Sequence, residues 1–212
     1  MEIVYTDTKH ELFEDNKIIG LYGDIQDLLI KNVDIEGIIY NDEVTVKRFL
    51  NGLHLTINKK IFDYFKLFEL DEEILNKKIY EIPKTNLKYI LLIYTLIHDK
   101  KYIILDYFEY GLTIKEQKKL INKLRLLKED KCIIIVSKNL VFLSKIVDKL
   151  IVVNNNEFIF NGTIKEFLSS DIFKNYDLPI IDFINKVHKK GGKLDNTLDD
   201  KELLKDIYRS VN

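Results

Sequence analysis

Two short, unbroken apolar runs do most to limit what this chain can fold into: Tyr102-Ile-Ile-Leu105, closed by Asp106, and Cys132-Ile-Ile-Ile-Val136. A strand buried on both faces of a sheet reads this way, because neither face alternates to polar residues. Between them, from Thr113 to Lys128, Ile114, Leu120, Ile121, Leu124, Leu126 and Leu127 recur near helical spacing among lysines and glutamates, which predicts an amphipathic helix. Strand, crossover helix, strand is a βαβ unit with parallel strands, and such units are right-handed almost without exception.

The pattern continues on both sides. Ser137-Lys-Asn-Leu140 opens another amphipathic helix, with Leu140, Phe142, Leu143 and Ile146 facing the sheet, before a third buried run, Leu150-Ile-Val-Val153. Asn154-Asn-Asn156 reads as a hairpin turn into Phe158-Ile-Phe160, since asparagine tolerates left-handed backbone. Thr163, with Glu166 three residues on, predicts a capping box for the helix from Ile164 to Leu168. Upstream, Asn16-Lys-Ile-Ile-Gly-Leu-Tyr22 predicts a strand that turns at Gly23-Asp24 into a helix from Ile25 to Lys31, and Gly37 to Tyr40 a further short strand. Residues 58–82 read as helical up to Pro83, and Tyr89 to Ile97 as a buried helix ending at His98-Asp99. In the tail, Pro179 starts a helix with Ile180, Phe183, Ile184 and Val187 on one stripe, and Asp200 to Tyr208 forms another beyond Gly191-Gly192.

Composition removes several function classes. The 33 basic and 34 acidic residues balance, so no global field gathers nucleic acid or anionic lipid. The 46% hydrophobic content of 212 residues suits one domain with a substantial core. The single cysteine, Cys132, lies in an apolar run and reads as a small buried hydrophobe; one cysteine makes no internal disulfide, which fits a reducing cytoplasm. No secretory signal pattern and no apolar stretch of spanning length is found, so a cytoplasmic chain is expected. The four histidines, His10, His54, His98 and His188, show no metal-ligand spacing.

From Glu81 to Gly162 the order of these features resembles the second half of an ATP-binding cassette (ABC) ATPase. Ile103-Ile-Leu-Asp106 resembles the Walker B strand, and Tyr107-Phe-Glu-Tyr-Gly111-Leu112-Thr113 stands where the family has Glu-Pro-Thr-x-Gly-Leu-Asp. Ile135-Val-Ser-Lys138-Asn-Leu140 stands at the family's switch histidine, and Asp148-Lys-Leu-Ile-Val-Val153 with Asn156-Glu-Phe-Ile-Phe-Asn-Gly162-Thr163 resembles its closing strands. Leu178-Pro179, the apolar stripe after it, Lys190-Gly191 and Glu202-Leu-Leu-Lys-Asp-Ile207 resemble the C-terminal extension of energy-coupling factor transporter ATPases, which pairs two ATPase subunits. The resemblance implies an α/β fold of the P-loop NTPase type: a mainly parallel sheet flanked by helices, with a reduced N-terminal β part and helical subdomain. It implies an ATPase-like domain over 1–170, with the helical subdomain and return helix at about 54–100, and a dimerising extension over 171–212, where Ile180, Phe183, Ile184 and Val187 serve either pairing or packing against the chain's own core.

ATP hydrolysis on that fold needs backbone N–H groups and a lysine around the phosphates, a hydroxyl on magnesium, and a group that polarises water. Ile18-Ile-Gly20-Leu-Tyr-Gly23 resembles the strand leading into a phosphate loop, but Asp24-Ile-Gln-Asp27 follows where the loop should be completed, and Asp24 reads as a helix N-cap. An alignment started at Gly20 puts Gln26 and Asp27 at the lysine and hydroxyl positions, so both are missing either way. Asp106 is the retained acid, a weak magnesium candidate or a strand-end acid bonded to backbone. Tyr107 stands at the catalytic glutamate, and a phenol with a pKa of about 10 cannot replace it as a base. Lys138 replaces the histidine, Thr113 an aspartate, and Pro83, Lys84, Thr85 and Asn86 the signature whose glycine and serine meet a partner's γ-phosphate.

The resemblance therefore implies a pseudo-ATPase without catalytic residues and without a cofactor, paired with itself or another ABC ATPase subunit, and through it with a transmembrane transporter subunit at the inner face of the membrane. A nucleotidase using Asp106, Lys138 or Lys84 with Mg-ATP is the alternative, and an interaction module unrelated to transport a third.

Overall fold

The computed structural model describes residues 3–23, 34, 36–52, 59–155 and 157–173. The strands are β1 (Ile3–Thr6), β2 (Ile18–Tyr22), β3 (Glu36–Gly37), β4 (Tyr102–Asp106), β5 (Cys132–Ser137), β6 (Lys149–Asn154) and β7 (Glu157–Gly162). The helices are α1 (Val46–Asn51), α2 (Lys59–Phe68), α3 (Lys84–Ile97), α4 (Ile114–Leu127), α5 (Leu140–Ser144) and α6 (Ile164–Ser169). The strands join in one sheet in the order β3-β1-β4-β5-β2-β6-β7.

Its centre is parallel: β4 beside β5, β5 beside β2, β2 beside β6. The predicted β4-α4-β5 unit is therefore present, and β2 lies between β5 and β6. Every residue of β2, β4 and β5 is buried, as their unbroken apolar runs require. Alternate side chains divide between two clusters. Ile18, Ile103, Leu105, Ile133, Ile135, Leu150 and Val152 pack with residues of α1 to α6, while Ile19, Leu21, Tyr102, Ile104, Ile134, Val136 and Ile151 meet Val4 and Phe13 on the opposite face. The outer strands are antiparallel, β1 on β4 and β3 on β1 at one edge, β7 on β6 at the other. The predicted hairpin pairs Val153 with Phe158 and turns with Asn155 at φ 49°.

Three expectations are corrected. The short strand placed at Gly37–Tyr40 is Glu36–Gly37; pairing with β1 ends there, and Ile39 is 94% exposed. The stretch 58–82 is no continuous helix: Glu69 turns left-handed at φ 56°, ending α2, and 3-10 turns follow at Glu72–Asn76 and Ile79–Glu81. Lys123 of α4 donates to the Leu67 carbonyl and to Glu69 Oε1 at 3.2 Å, satisfying the α2 C-terminus where it stops. Ile114 and Leu126, counted toward the buried stripe of α4, are exposed.

The predicted capping box at Thr163 and Glu166 forms, with the Thr163 N–H donating to Glu166 Oε2 at 2.7 Å. His98 closes α3, as read. No helix among the described residues is long and apolar enough to cross a membrane. The helix assigned to Ile25–Lys31 and both tail helices lie outside the described residues.

Candidate functional site

In open α/β sheets, ligands are bound at the carboxyl ends of the parallel strands, where side chains and loops can converge without interrupting the ladder. Here those ends are level: Asp106 stands opposite Val136, and Tyr22 opposite both Ser137 and Val152. Gly23, Asp106, Tyr107 and Lys138 thus lie along one edge. Gly20 does not. It sits inside β2 between Ile135 and Leu150, where a Cβ would come within 2.7 Å of Val147 Cγ1, so it belongs to the strand and not to a loop. Asp24 lies outside the described residues, together with Gln26 and Asp27.

Gly23 ends β2 at φ +122°, and a Cβ there would run into the Val153 carbonyl oxygen of β6. Glycine is required on both counts, by conformation and by close backbone approach. At the neighbouring end, Asp106 is 8% exposed. Tyr107 follows in left-handed backbone at φ 47°, its N–H still donating to the Val136 carbonyl at 2.9 Å. The chain then folds tightly. The Tyr110 N–H donates to the Tyr107 carbonyl at 3.0 Å, and the Leu112 N–H to the Glu109 carbonyl at 3.1 Å. Tyr107 and Tyr110 meet edge to face with ring centres 5.8 Å apart.

Sequence reasoning missed the residue at the centre of this loop. Glu109 is 4% exposed and turned into the protein, where Ser137 Oγ at the end of β5 donates to its Oε1. The same Ser137 oxygen accepts the Asn139 N–H at 2.9 Å, ahead of α5. Glu109 Oε2 is buried and has no hydrogen-bond partner among the described residues. Burial pushes the Glu109 carboxyl above the ordinary range; Ser137, the residue's own N–H and the Lys88 charge oppose this, and Asp106 adds to it. Neither Glu109 nor Ser137 gave a periodic or spacing signal. Lys88 did, as a lone charge next to the apolar run of α3. It is 5% exposed, and its ammonium donates to the Phe108 and Tyr110 carbonyls at 2.8 Å each while standing 5.2 Å from the Phe108 ring centre.

The residues at the signature position form the start of α3, with Pro83 as the N-cap residue and Lys84, Thr85 and Asn86 in the first turn. They are tied to the neighbouring loop. Thr85 Oγ1 donates to Glu116 Oε1 at 3.3 Å, and Glu116 Oε2 accepts both the N–H and the hydroxyl of Thr113 at 2.7 Å, forming the capping box of α4. These bonds hold the Glu116 carboxyl below its ordinary range, Thr113 contributing most. Lys138 is exposed after β5. Among the described residues, no three His, Cys, Asp or Glu side chains are grouped to hold a metal ion. Cys132 is buried and its thiol is pushed up to about 12, chiefly by that burial, which suits an inert core residue. Ile180, Phe183, Ile184 and Val187 lie outside the described residues.

No family model matches the chain, and no curated protein matches it in sequence. Solved structures do match in fold. CbiO1 from Clostridium perfringens, part of the ABC transporter complex CbiONQ, superposes with a TM-score of 0.63 at 13% identity, over 87% of this chain and 98% of that one. A nucleotide-free ATP-binding cassette from an ABC transporter gives 0.61 at 15% identity, over 82% and 98%. An ATP-binding cassette in its ADP conformation gives 0.60 at 14% identity, over 86% and 99%. The chain has the α/β fold of ABC transporter ATPase domains, a P-loop NTPase architecture.

Proposed function

We propose that this chain is a pseudo-ATPase: a non-catalytic or regulatory ATPase-like subunit, joined to an energy-coupling factor type transporter through pairing with an intact ATPase or with itself. The observation that carries this reading is the loop after β4. The residue following Asp106 is a tyrosine in left-handed backbone, and the next carboxyl, Glu109, is directed into the core onto Ser137. A carboxylate that must polarise an attacking water has to face the ligand. The sequence of the phosphate loop, with Asp24 after Gly23 and no lysine, supports the same reading, as does the start of α3, whose proline and lysine replace a glycine backbone and a serine donor.

On this reading residues 1–170 form the ATPase-like domain, with its helical part at about 54–100, and 171–212 the pairing extension, with Ile180, Phe183, Ile184 and Val187 at the contact. The chain takes no nucleotide cofactor and reaches the inner face of the membrane through its partners. CbiO1 is itself part of a transporter complex, which motivates the choice of partner.

Calorimetry with Mg-ATP and a co-purification against an intact energy-coupling factor ATPase of the same organism test the two halves separately. The expected results are no binding heat at millimolar nucleotide and a stable complex; no complex at micromolar concentration counts against the subunit role. Retention of Asp106 at the strand end favours one second reading, a weak nucleotidase using Asp106 with Lys138 or Lys84. Turnover abolished by Asp106→Asn would establish that reading and end the first.

A further inference from the structure

The buried carboxyl of Glu109 has no task in the proposed function, and its surroundings are specific. Two segments that leave the sheet side by side are joined by backbone at their strand ends, where the Tyr107 N–H donates to the Val136 carbonyl. Beyond that point a side-chain contact carries the connection: Glu109, from the loop after β4, is held by Ser137, which also receives the Asn139 N–H of the turn leading to α5. Lys88 fixes the loop from the other side through the carbonyls flanking Glu109. The loop is therefore anchored at 108 and 110, and Glu109 between them reaches across to Ser137 of β5.

We infer that Glu109 is a proton-controlled latch between the loop after β4 and the turn after β5, closed when its carboxyl is protonated and released when the proton is lost to solvent. The physical reason is the asymmetry of its two oxygens. Oε1 has a hydroxyl donor, whereas Oε2 is buried and has no hydrogen-bond partner among the described residues. A neutral carboxyl tolerates this at modest cost, whereas a carboxylate would leave half its charge undissolved in the core. The charged groups acting on it are Lys88 of α3, which favours the ionised form, and Asp106 of β4, which opposes it; burial outweighs Lys88, and the carboxyl titrates above its ordinary range. Ionisation therefore favours an open loop in which the carboxylate reaches water. The inference is independent of whether the chain binds nucleotide.

Hydrogen exchange of the full-length chain, followed over the peptides 107–112 and 137–143 and corrected for intrinsic rates, tests the latch. Opening is expected to increase tenfold per pH unit from the free carboxyl's value, about 4.3, up to the raised value of the closed state, and then to level off. Glu109→Gln keeps an oxygen for Ser137 and cannot ionise, so it should abolish that rise and hold both peptides protected. Parallel pH profiles in the wild type and the variant overturn the latch. Should Glu109→Gln fail to fold, infrared spectra of wild-type protein carrying 13C-labelled glutamate decide the matter: a carboxylic-acid band persisting after the exposed glutamates have ionised sustains the latch, and its loss together with theirs overturns it.

Discussion

Replacing Lys88 by methionine isolates what a buried ammonium contributes at the edge of this sheet. Methionine keeps the volume and the unbranched shape, so packing in α3 changes little. Two acceptors lose their donor, the buried Phe108 carbonyl and the part-buried Tyr110 carbonyl, each bonded at 2.8 Å. An orphaned buried carbonyl costs about 1–3 kcal/mol and a hydrated one roughly 1 kcal/mol or less, with about 0.5–1 kcal/mol more for the contact to the Phe108 ring. Relief from desolvating the ammonium returns part of this. The net expectation is a loss of about 2 kcal/mol, which in a domain of this size lowers the melting temperature by about 4–8 °C. Thermal and urea unfolding of the full chain measure it. A variant as stable as the wild type would refute the reasoning, showing that the ammonium's burial costs as much as its bonds contribute. Repeating the substitution in Glu109→Gln separates two routes: an undiminished loss places the effect in the carbonyl bonds, and a smaller one in the charge facing Glu109.

Gly23→Ala should be severe, because the left-handed φ of +122° and the Val153 carbonyl both oppose a Cβ; a loss of about 2–4 kcal/mol is expected as a lower melting temperature, and a fall below about 1 °C would contradict the geometry. Asp148 accepts the Ile18 N–H and the Lys128 ammonium at 2.8 Å each; burial alone would raise its carboxyl, but these two partners outweigh it and hold it below the ordinary value. A lowered acid stabilises above its unfolded value, about 3.9, and loses that contribution as the pH falls through the folded value, so Asp148→Asn should cost about 1 kcal/mol at pH 7 and progressively less below pH 4, read from urea midpoints.

What the sequence revealed follows from how each element is stabilised. β4 and β5 are buried on both faces, so their residues had to be continuously apolar, and the pattern alone located them. Thr163 and Thr113 cap their helices through residues three positions away, local chemistry that a linear reading captures at Thr163 and overlooked at Thr113. β1 escaped notice because its four residues become a strand only by lying antiparallel to β4, about 100 positions along the chain. Glu109 escaped for the same reason. A glutamate in a Tyr-, Phe- and Gly-containing turn looks solvent-facing, and only the proximity of β5 to β4 brings Ser137 to it. Strand order, too, was invisible: β6 follows β5 in sequence, yet β2 separates them.

A site that waits for a polyanion keeps polar groups aimed outward with their hydrogen-bonding capacity in reserve, since a group already satisfied within the protein must be freed before it can bind. At this edge several of the described polar groups are spent inward. Lys88 goes to two carbonyls, Ser137 to Glu109, and Thr85 and Thr113 to Glu116. Each contact joins a loop at the carboxyl ends of the strands to an element beside it, so the edge is stabilised by the chain itself. Any nucleotide would have to compete with those bonds, at about 0.5–1.5 kcal/mol for each neutral one and more for those to charged groups. On that arithmetic these contacts stabilise the edge first, and a phosphate would bind among them only where it outcompetes them.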